Sequence, residues 1–117
     1  MKKLMLTGLL FLGAFMVYAQ NSPSIKIVNN TGYSIYYIYV SPEENDEWGE
    51  ELLGEDILEN GQSFTVRLPQ PLTQTKVYDI GVEDEDGDVY FKWKVTLTNN
   101  AQIVFTVDDL GAEAPEE

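Results

Sequence analysis

Tyr78 to Leu97 reads YDIGVEDEDGDVYFKWKVTL, and the two arms around its Asp-Gly pair decide the fold class. On the first arm Tyr78, Ile80 and Val82 alternate with Asp79, Gly81 and Glu83. On the second, Val89, Phe91, Trp93, Val95 and Leu97 alternate with Tyr90, Lys92, Lys94 and Thr96. A period of two belongs to a strand with one face on a core. Asp86-Gly87 between two such arms predicts a two-residue hairpin turn, since glycine supplies the positive φ that the turn needs. The resulting register sets Val82 opposite Phe91, Ile80 opposite Trp93 and Tyr78 opposite Val95, all on one face. On the other face it sets Asp79 opposite Lys94, a favourable cross-strand charge pair.

Downstream, Asn99-Asn100-Ala101 predicts a tight loop that brings Leu97 opposite Ile103 and Val95 opposite Phe105. Ile103 to Val107 would then extend the hairpin into a meander. Residues 111–117 (GAEAPEE) have the small, acidic, proline-containing composition of a disordered tail. Upstream, Phe64, Val66 and Leu68 alternate with Ser63, Thr65 and Arg67, and Pro69 and Pro71 end that strand because neither can donate to a ladder. Residues 24–28 (SIKIV) and 33–40 (YSIYYIYV) also read as strands. The Asn30-Thr31-Gly32 loop between them predicts a second hairpin, with Gly32 in left-handed φ, Ile27 opposite Ile35 and Ile25 opposite Tyr37.

Residues 41–60 break the pattern. Ser41-Pro42-Glu43-Glu44 has the residues of a helix start. Gly49 and Gly54 limit it to one or two helical turns in an irregular crossover near 42–58, with Trp48, Leu52, Leu53, Ile57 and Leu58 tucked beneath. About six strands with one apolar face each require a second layer. The expected fold is therefore all-β: a small antiparallel β-sandwich over residues 20–110, immunoglobulin- or C2-like in its layers.

The N-terminus has the composition of a cleavable signal peptide over residues 1–19. Lys2 and Lys3 precede an uncharged, mainly apolar run from Leu4 to Val17, and Val17 and Ala19 place small residues at −3 and −1 before Gln20. That run is shorter than the roughly 20 apolar residues a membrane helix needs. The expected product is periplasmic or secreted, with no membrane insertion after cleavage. With no cysteine, it has neither disulfides nor a lipid-attachment thiol.

The chain has 7 Lys+Arg and 20 Asp+Glu. Because Lys2 and Lys3 lie in the leader, the remainder carries 5 basic against 20 acidic side chains, a formal −15. Such a surface repels nucleic-acid phosphates and anionic lipid headgroups, and favours cations or basic partners in the envelope or outside the cell. The absence of histidine and cysteine removes the commonest acid–base residue, the usual zinc ligands, and the Ser-His and Cys-His nucleophile pairs. No phosphate-binding glycine pattern is present. The sequence assigns no catalytic residue and no cofactor beyond a candidate Ca²⁺. A carboxylate-pair hydrolase is the alternative among enzymes.

Two clusters are candidate sites. In the two-residue-turn register Glu85 lies opposite Asp88, with Asp84 and Asp86 close by. Ca²⁺, with its six to eight oxygen ligands, would offset their repulsion. The spacing is not that of an EF-hand, whose first and last ligand positions would fall on Val82 and Trp93. The bland alternative is a solvated hairpin tip. The second cluster is aromatic: Tyr36, Tyr37 and Tyr39, with Trp48, would form a platform for sugar rings or a peptide, or else face the two sides of a covered central strand. Asn29-Asn30-Thr31 matches a glycosylation sequon and also suits a turn.

Asn29-Asn30-Thr31-Gly32, Val40-Ser41-Pro42, Trp48-Gly49-Glu50, Leu52-Leu53-Gly54, Gly61-Gln62-Ser63-Phe64, Tyr78-Asp79-Ile80 and Asp84-Glu85-Asp86-Gly87-Asp88 follow one another in that order. In this the chain resembles a family of small exported bacterial all-β domains with no assigned activity. The resemblance implies export and a β-domain, and it brings no catalytic residues. Members often carry a cysteine pair flanking the last hairpin, and that stapling does not transfer to a cysteine-free chain. The expected function is an exported, non-enzymatic binding domain, with a Ca²⁺-dependent module as the alternative.

Overall fold

Asn29 is fully buried, and its side chain explains why the first two strands part company. The carboxamide donates to the carbonyls of Tyr33 (2.7 Å) and Leu58 (2.8 Å). It accepts from the Thr31 amide (3.0 Å) and hydroxyl (2.7 Å). Residues 30–34 are thereby wound around one side chain rather than laid out as a hairpin loop. Gly32 does adopt positive φ (90°), as expected. Even so, the strands it joins lie in different sheets, so the predicted pairing of Ile27 with Ile35 and Ile25 with Tyr37 does not form.

The structure, a computed structural model, describes residues 22–115. The signal peptide expected over residues 1–19 lies outside the described residues. Six strands occur: β1 (Ser24–Asn30), β2 (Ile35–Pro42), β3 (Ser63–Arg67), β4 (Val77–Asp84), β5 (Val89–Thr96) and β6 (Ala101–Thr106), followed by a 3-10 turn at Val107–Asp109. They form two three-stranded sheets, ordered β3-β1-β6 and β2-β4-β5. The fold is an all-β sandwich, as the alternation predicts. Among the described residues no helix is long and apolar enough to cross a membrane.

One pair departs from the antiparallel expectation. β6 does not continue a meander beside β5; it crosses to the other sheet and pairs in parallel with β1, Ile27 beside Ile103 and Asn29 beside Phe105. Two asparagines make that crossing. Asn100 takes positive φ (68°) and donates its amide to the Ser24 carbonyl (2.7 Å), while Ser24 donates its own amide to Asn99 Oδ1 (2.9 Å). The loop is thus tied to the start of β1, which delivers β6 to β1's free side.

The β4–β5 hairpin forms, with a register different from the expected one. Asp84 and Asp88 face each other (Asp84 N–H to Asp88 O, 2.9 Å), and Gly87 has φ of 85°. The loop is therefore three residues long, closed by a glycine bulge. Val82 lies opposite Tyr90 and Ile80 opposite Lys92; only Tyr78 opposite Val95 agrees with prediction. Between them β5 carries an extra residue, and Lys94 there takes φ of 53°, uncommon for a side-chain-bearing residue. Buried Asp79 steadies that bulge by accepting the Lys94 amide (2.8 Å). A one-residue shift reverses every side chain. Between the two bulges Tyr90 joins the inter-sheet core with Ile80 and Val82, and Phe91 and Trp93 turn outward.

The core between the sheets consists of Ile25, Ile27, Val66, Ile103 and Phe105 from one layer against Ile35, Ile38, Tyr78, Ile80, Val82 and Tyr90 from the other. Each such side chain contributes roughly 1.5–3 kcal/mol on burial, the main source of stability in a chain without disulfides.

Residues 43–60 form no helix. Ser41 and Pro42 are the last residues of β2, and Ser41 donates its hydroxyl to the Glu47 carbonyl (2.9 Å) instead of capping a helix. Trp48, Leu53 and Leu58 are buried as expected, Leu52 partly so, but Ile57 is exposed. The crossover runs along the outer edge of β2. Ile35 and Leu58 exchange both backbone bonds (2.9 Å each), and the Leu52 amide reaches the Ile38 carbonyl (2.9 Å). Glu51, also buried, accepts the amides of Ile38 (2.8 Å), Leu53 (2.7 Å) and Gly54 (2.8 Å). β2 is thus an edge strand, not a central one, and the crossover shields its edge.

Candidate functional site

Asp84 ends β4 with its side chain on the inner face, where it is 2% exposed. Oδ1 accepts the amides of Asp86 (2.9 Å) and Asp88 (3.0 Å), and Oδ2 accepts the Tyr90 hydroxyl (2.8 Å). The first contact is an Asx turn, and the set holds the loop in its three-residue form. Tyr90 is pushed up in pKa by its burial, and further by its hydrogen bond to the Asp84 carboxylate.

Asp84, Asp86 and Asp88 each bring a carboxylate oxygen within 4.8 Å of the others. Three of the predicted metal residues therefore converge, Asp84 buried and the other two exposed. Glu85 does not join them. It is exposed, and its amide donates to the Ser34 carbonyl (2.9 Å), which fastens the hairpin to the β1–β2 loop. Asp84 already accepts three hydrogen bonds, so a cation would draw its remaining oxygen ligands from Asp86, Asp88 and solvent.

The aromatic residues meet on the outer face of β2-β4-β5. Tyr39, Trp48 and Phe91 are buried there, with Tyr37, Val89, Trp93 and Ala112 packed against them. Trp48 stacks on Phe91 (centroids 5.8 Å apart, 22°), and Phe91 stacks on Trp93 (4.9 Å, 26°). Tyr37, Tyr39 and Trp48 thus lie in one cluster. Together with Phe91 and Trp93 they form a second small core roofed by Trp48, not an open platform. Tyr36 is the extra residue of a bulge in β2 and stands exposed, apart from the cluster. Burial, with the charges of Glu51 and Glu83 behind it, pushes Tyr39 up to about 12.

Glu83 lies between Tyr37 and Val89 on this outer face, and its Oε1 is buried without a hydrogen-bond partner. Burial, then the neighbouring Asp84 charge, raises its carboxyl above the ordinary range. A carboxyl raised by folding stabilises most below its unfolded value, and that stability is lost as pH rises through the folded value. Glu83→Gln is therefore expected to raise the melting temperature at pH 7, with the gain vanishing near pH 4. Paired thermal melts at the two pH values check it.

The tail is anchored where it begins. The Gly111 amide donates to the Val89 carbonyl (2.8 Å), and the Trp93 indole donates to the Ala112 carbonyl (2.9 Å). Between this tail, β5 and β6 lies an open groove of about 600 Å³. The sequence reading missed it, because the expected meander filled the space with a β5–β6 pairing. The signal was available in Asn99-Asn100, two residues that accept positive φ and can redirect a chain.

No family model, curated protein or solved structure matches the chain, so its function is read from its own residues.

Proposed function

We propose that this chain is an exported, non-enzymatic binding domain whose partners are basic. The observation that carries this reading is the segregation of its acids. β1, β3 and β6 contain no Asp or Glu. The acidic residues fall instead in segments 43–59, 79–88 and 108–117. Parts of all three meet near the Asp84–Asp88 loop at one end of the sandwich, whereas Glu43 lies at the other end, its amide bonded to the Val77 carbonyl (2.9 Å). Ser34 accepts the Glu85 amide and donates its hydroxyl to Glu59 (2.7 Å), and the tail joins β5 at Val89, one residue past Asp88. A pole of one sign raises the local concentration of oppositely charged partners and speeds their association, in proportion to low ionic strength. The buried carboxylates Glu51, Asp79 and Asp84 serve the fold, each accepting backbone amides.

Affinity capture from an envelope fraction tests it. Proteins retained at about 0.05 M NaCl and released by about 0.3 M should be basic. Turnover of a chromogenic glycoside or ester, lost on replacing one carboxylate, would instead establish the hydrolase.

The convergence of Asp84, Asp86 and Asp88 favours a second reading, a Ca²⁺-dependent module. On it, millimolar Ca²⁺ raises the melting temperature and Asp86→Asn abolishes the rise. An unchanged melt with Ca²⁺ removes that reading and leaves the first standing.

A further inference from the structure

The two open sides of the sandwich are finished differently. On one, the crossover hydrogen-bonds along β2 and plugs the gap with Leu53 and Leu58. On the other, the edges of β5 and β6 face a groove lined by Phe91, Trp93, Val95, Ile103 and Val104. Among the described residues the tail's backbone bridges β5 at its start, at Tyr90 and Leu110, and Ala112, held by the Trp93 indole, lines the groove. Lys92 closes the polar end, 3.2 Å from Asp109 Oδ1 and 5.5 Å above the Phe105 ring. Along the free side of β6, among the described residues, no strand is paired.

Natural sheets blunt a free edge with charge, proline, a bulge or brevity. β3, the opposite edge of the same sheet, has five residues and ends in Arg67, with Pro69 just beyond. β6 reads AQIVFT: six residues with no charge, no proline and a regular register against β1. Such an edge pairs with whatever extended chain reaches it. A second copy is disfavoured, since it would bring another formal −15 to the same place. A strand with basic residues meets the opposite sign: Asp109 lines the groove, though it is already shared with Lys92, and exposed Asp108 and Glu113 are the chain neighbours of the groove-lining Asp109 and Ala112.

We infer that β6 and the adjoining groove receive an extended segment of another protein, one that alternates apolar and Lys/Arg residues and adds as a strand to β6. The backbone of β6 supplies the hydrogen bonds, the groove takes the apolar side chains, and the acidic rim takes the basic ones. This surface rests on the binding-domain reading above and gives its partner a chemical class.

A displayed library of random 12-residue peptides, selected on residues 20–117, tests it. Enriched peptides should alternate apolar with basic residues. A synthetic copy of the best one should shift the amide resonances of Ala101–Thr106 and the Trp93 indole. Val104→Arg puts a positive charge at the groove and should weaken that peptide by about tenfold or more while the thermal melt stays cooperative. Selection that enriches nothing, or enriches peptides whose shifts fall elsewhere and whose binding Val104→Arg leaves intact, overturns this site. Shifts confined to the Asp84–Asp88 loop would do so while sparing the wider binding-domain reading, which the envelope capture tests separately.

Discussion

Asn29→Ala is expected to lower stability by about 3–4 kcal/mol, as much as truncating a core side chain. The carboxamide makes four hydrogen bonds while fully buried. The methyl group of alanine replaces none of them, and the Thr31 amide is left in a site from which water is excluded. A domain of this size holds roughly 5–15 kcal/mol in all, so the loss is a large fraction of the total. It corresponds to a fall of about 15 °C or more in melting temperature. Thr31→Val, which leaves the carboxamide in place, should cost about 1 kcal/mol. Chemical denaturation of the two variants separates the outcomes; equal small losses would mean that the loop holds itself without Asn29. The same burial bears on the Asn29-Asn30-Thr31 sequon. Both amide hydrogens of Asn29 are donated to carbonyls, so the folded domain offers no acceptor nitrogen for glycosylation there.

What the sequence conveyed, and what it withheld, divides along a physical line. Alternation is a property of each strand by itself, so Phe64 and Val66, or Ile103 and Phe105, could be assigned to a buried face without knowing their partners. Pairing is a property of two segments and of the groups that interrupt them. Gly87 announced a hairpin correctly, but the loop length was decided by the Asp84 carboxylate reaching two amides ahead. That one choice moved Phe91 and Trp93 from the inner face to the outer one. Likewise Gly32 took its expected φ, while the sheet that followed depended on Asn29. The candidate site shows the same division. Nearness in sequence was enough to gather Asp84, Asp86 and Asp88, since all three lie on one loop. The groove beside β6 depends on a long-range parallel pairing with β1, which no local pattern encodes.

The interrupting groups follow one rule. Asn29, Glu51, Asp79 and Asp84 are all buried, and each sits where a ladder stops, slips or turns. An interrupted ladder leaves amides and carbonyls without partners, and inside a protein those cost more than the side chain needed to satisfy them. A polar residue in an otherwise apolar strand pattern is therefore first a candidate for this repair. The acidic character of the chain complicates the inference, because the repairing carboxylates look in sequence like the solvated ones beside them.

Asp84 is where repair and candidate chemistry meet, and its substitution distinguishes them. Asp84→Ala should cost about 3 kcal/mol, since it removes the acceptor for two amides and the buried Tyr90 hydroxyl together. Asp84→Asn keeps Oδ1 for the amides and presents an amide nitrogen to the Tyr90 oxygen, so it should cost about 1 kcal/mol. Both losses should be the same in EDTA as in millimolar Ca²⁺, because the bonds are internal to the hairpin. Asp86→Asn and Asp88→Asn, at exposed positions, should be neutral or slightly stabilising in EDTA, as they relieve repulsion without removing an acceptor the backbone uses. Were the loop built chiefly around a cation, the order would invert with Ca²⁺ present. Asp86→Asn would then forfeit the metal's contribution, and the penalty for Asp84→Asn would grow on adding Ca²⁺. Urea denaturation of the four variants, with and without Ca²⁺, reads out which order holds.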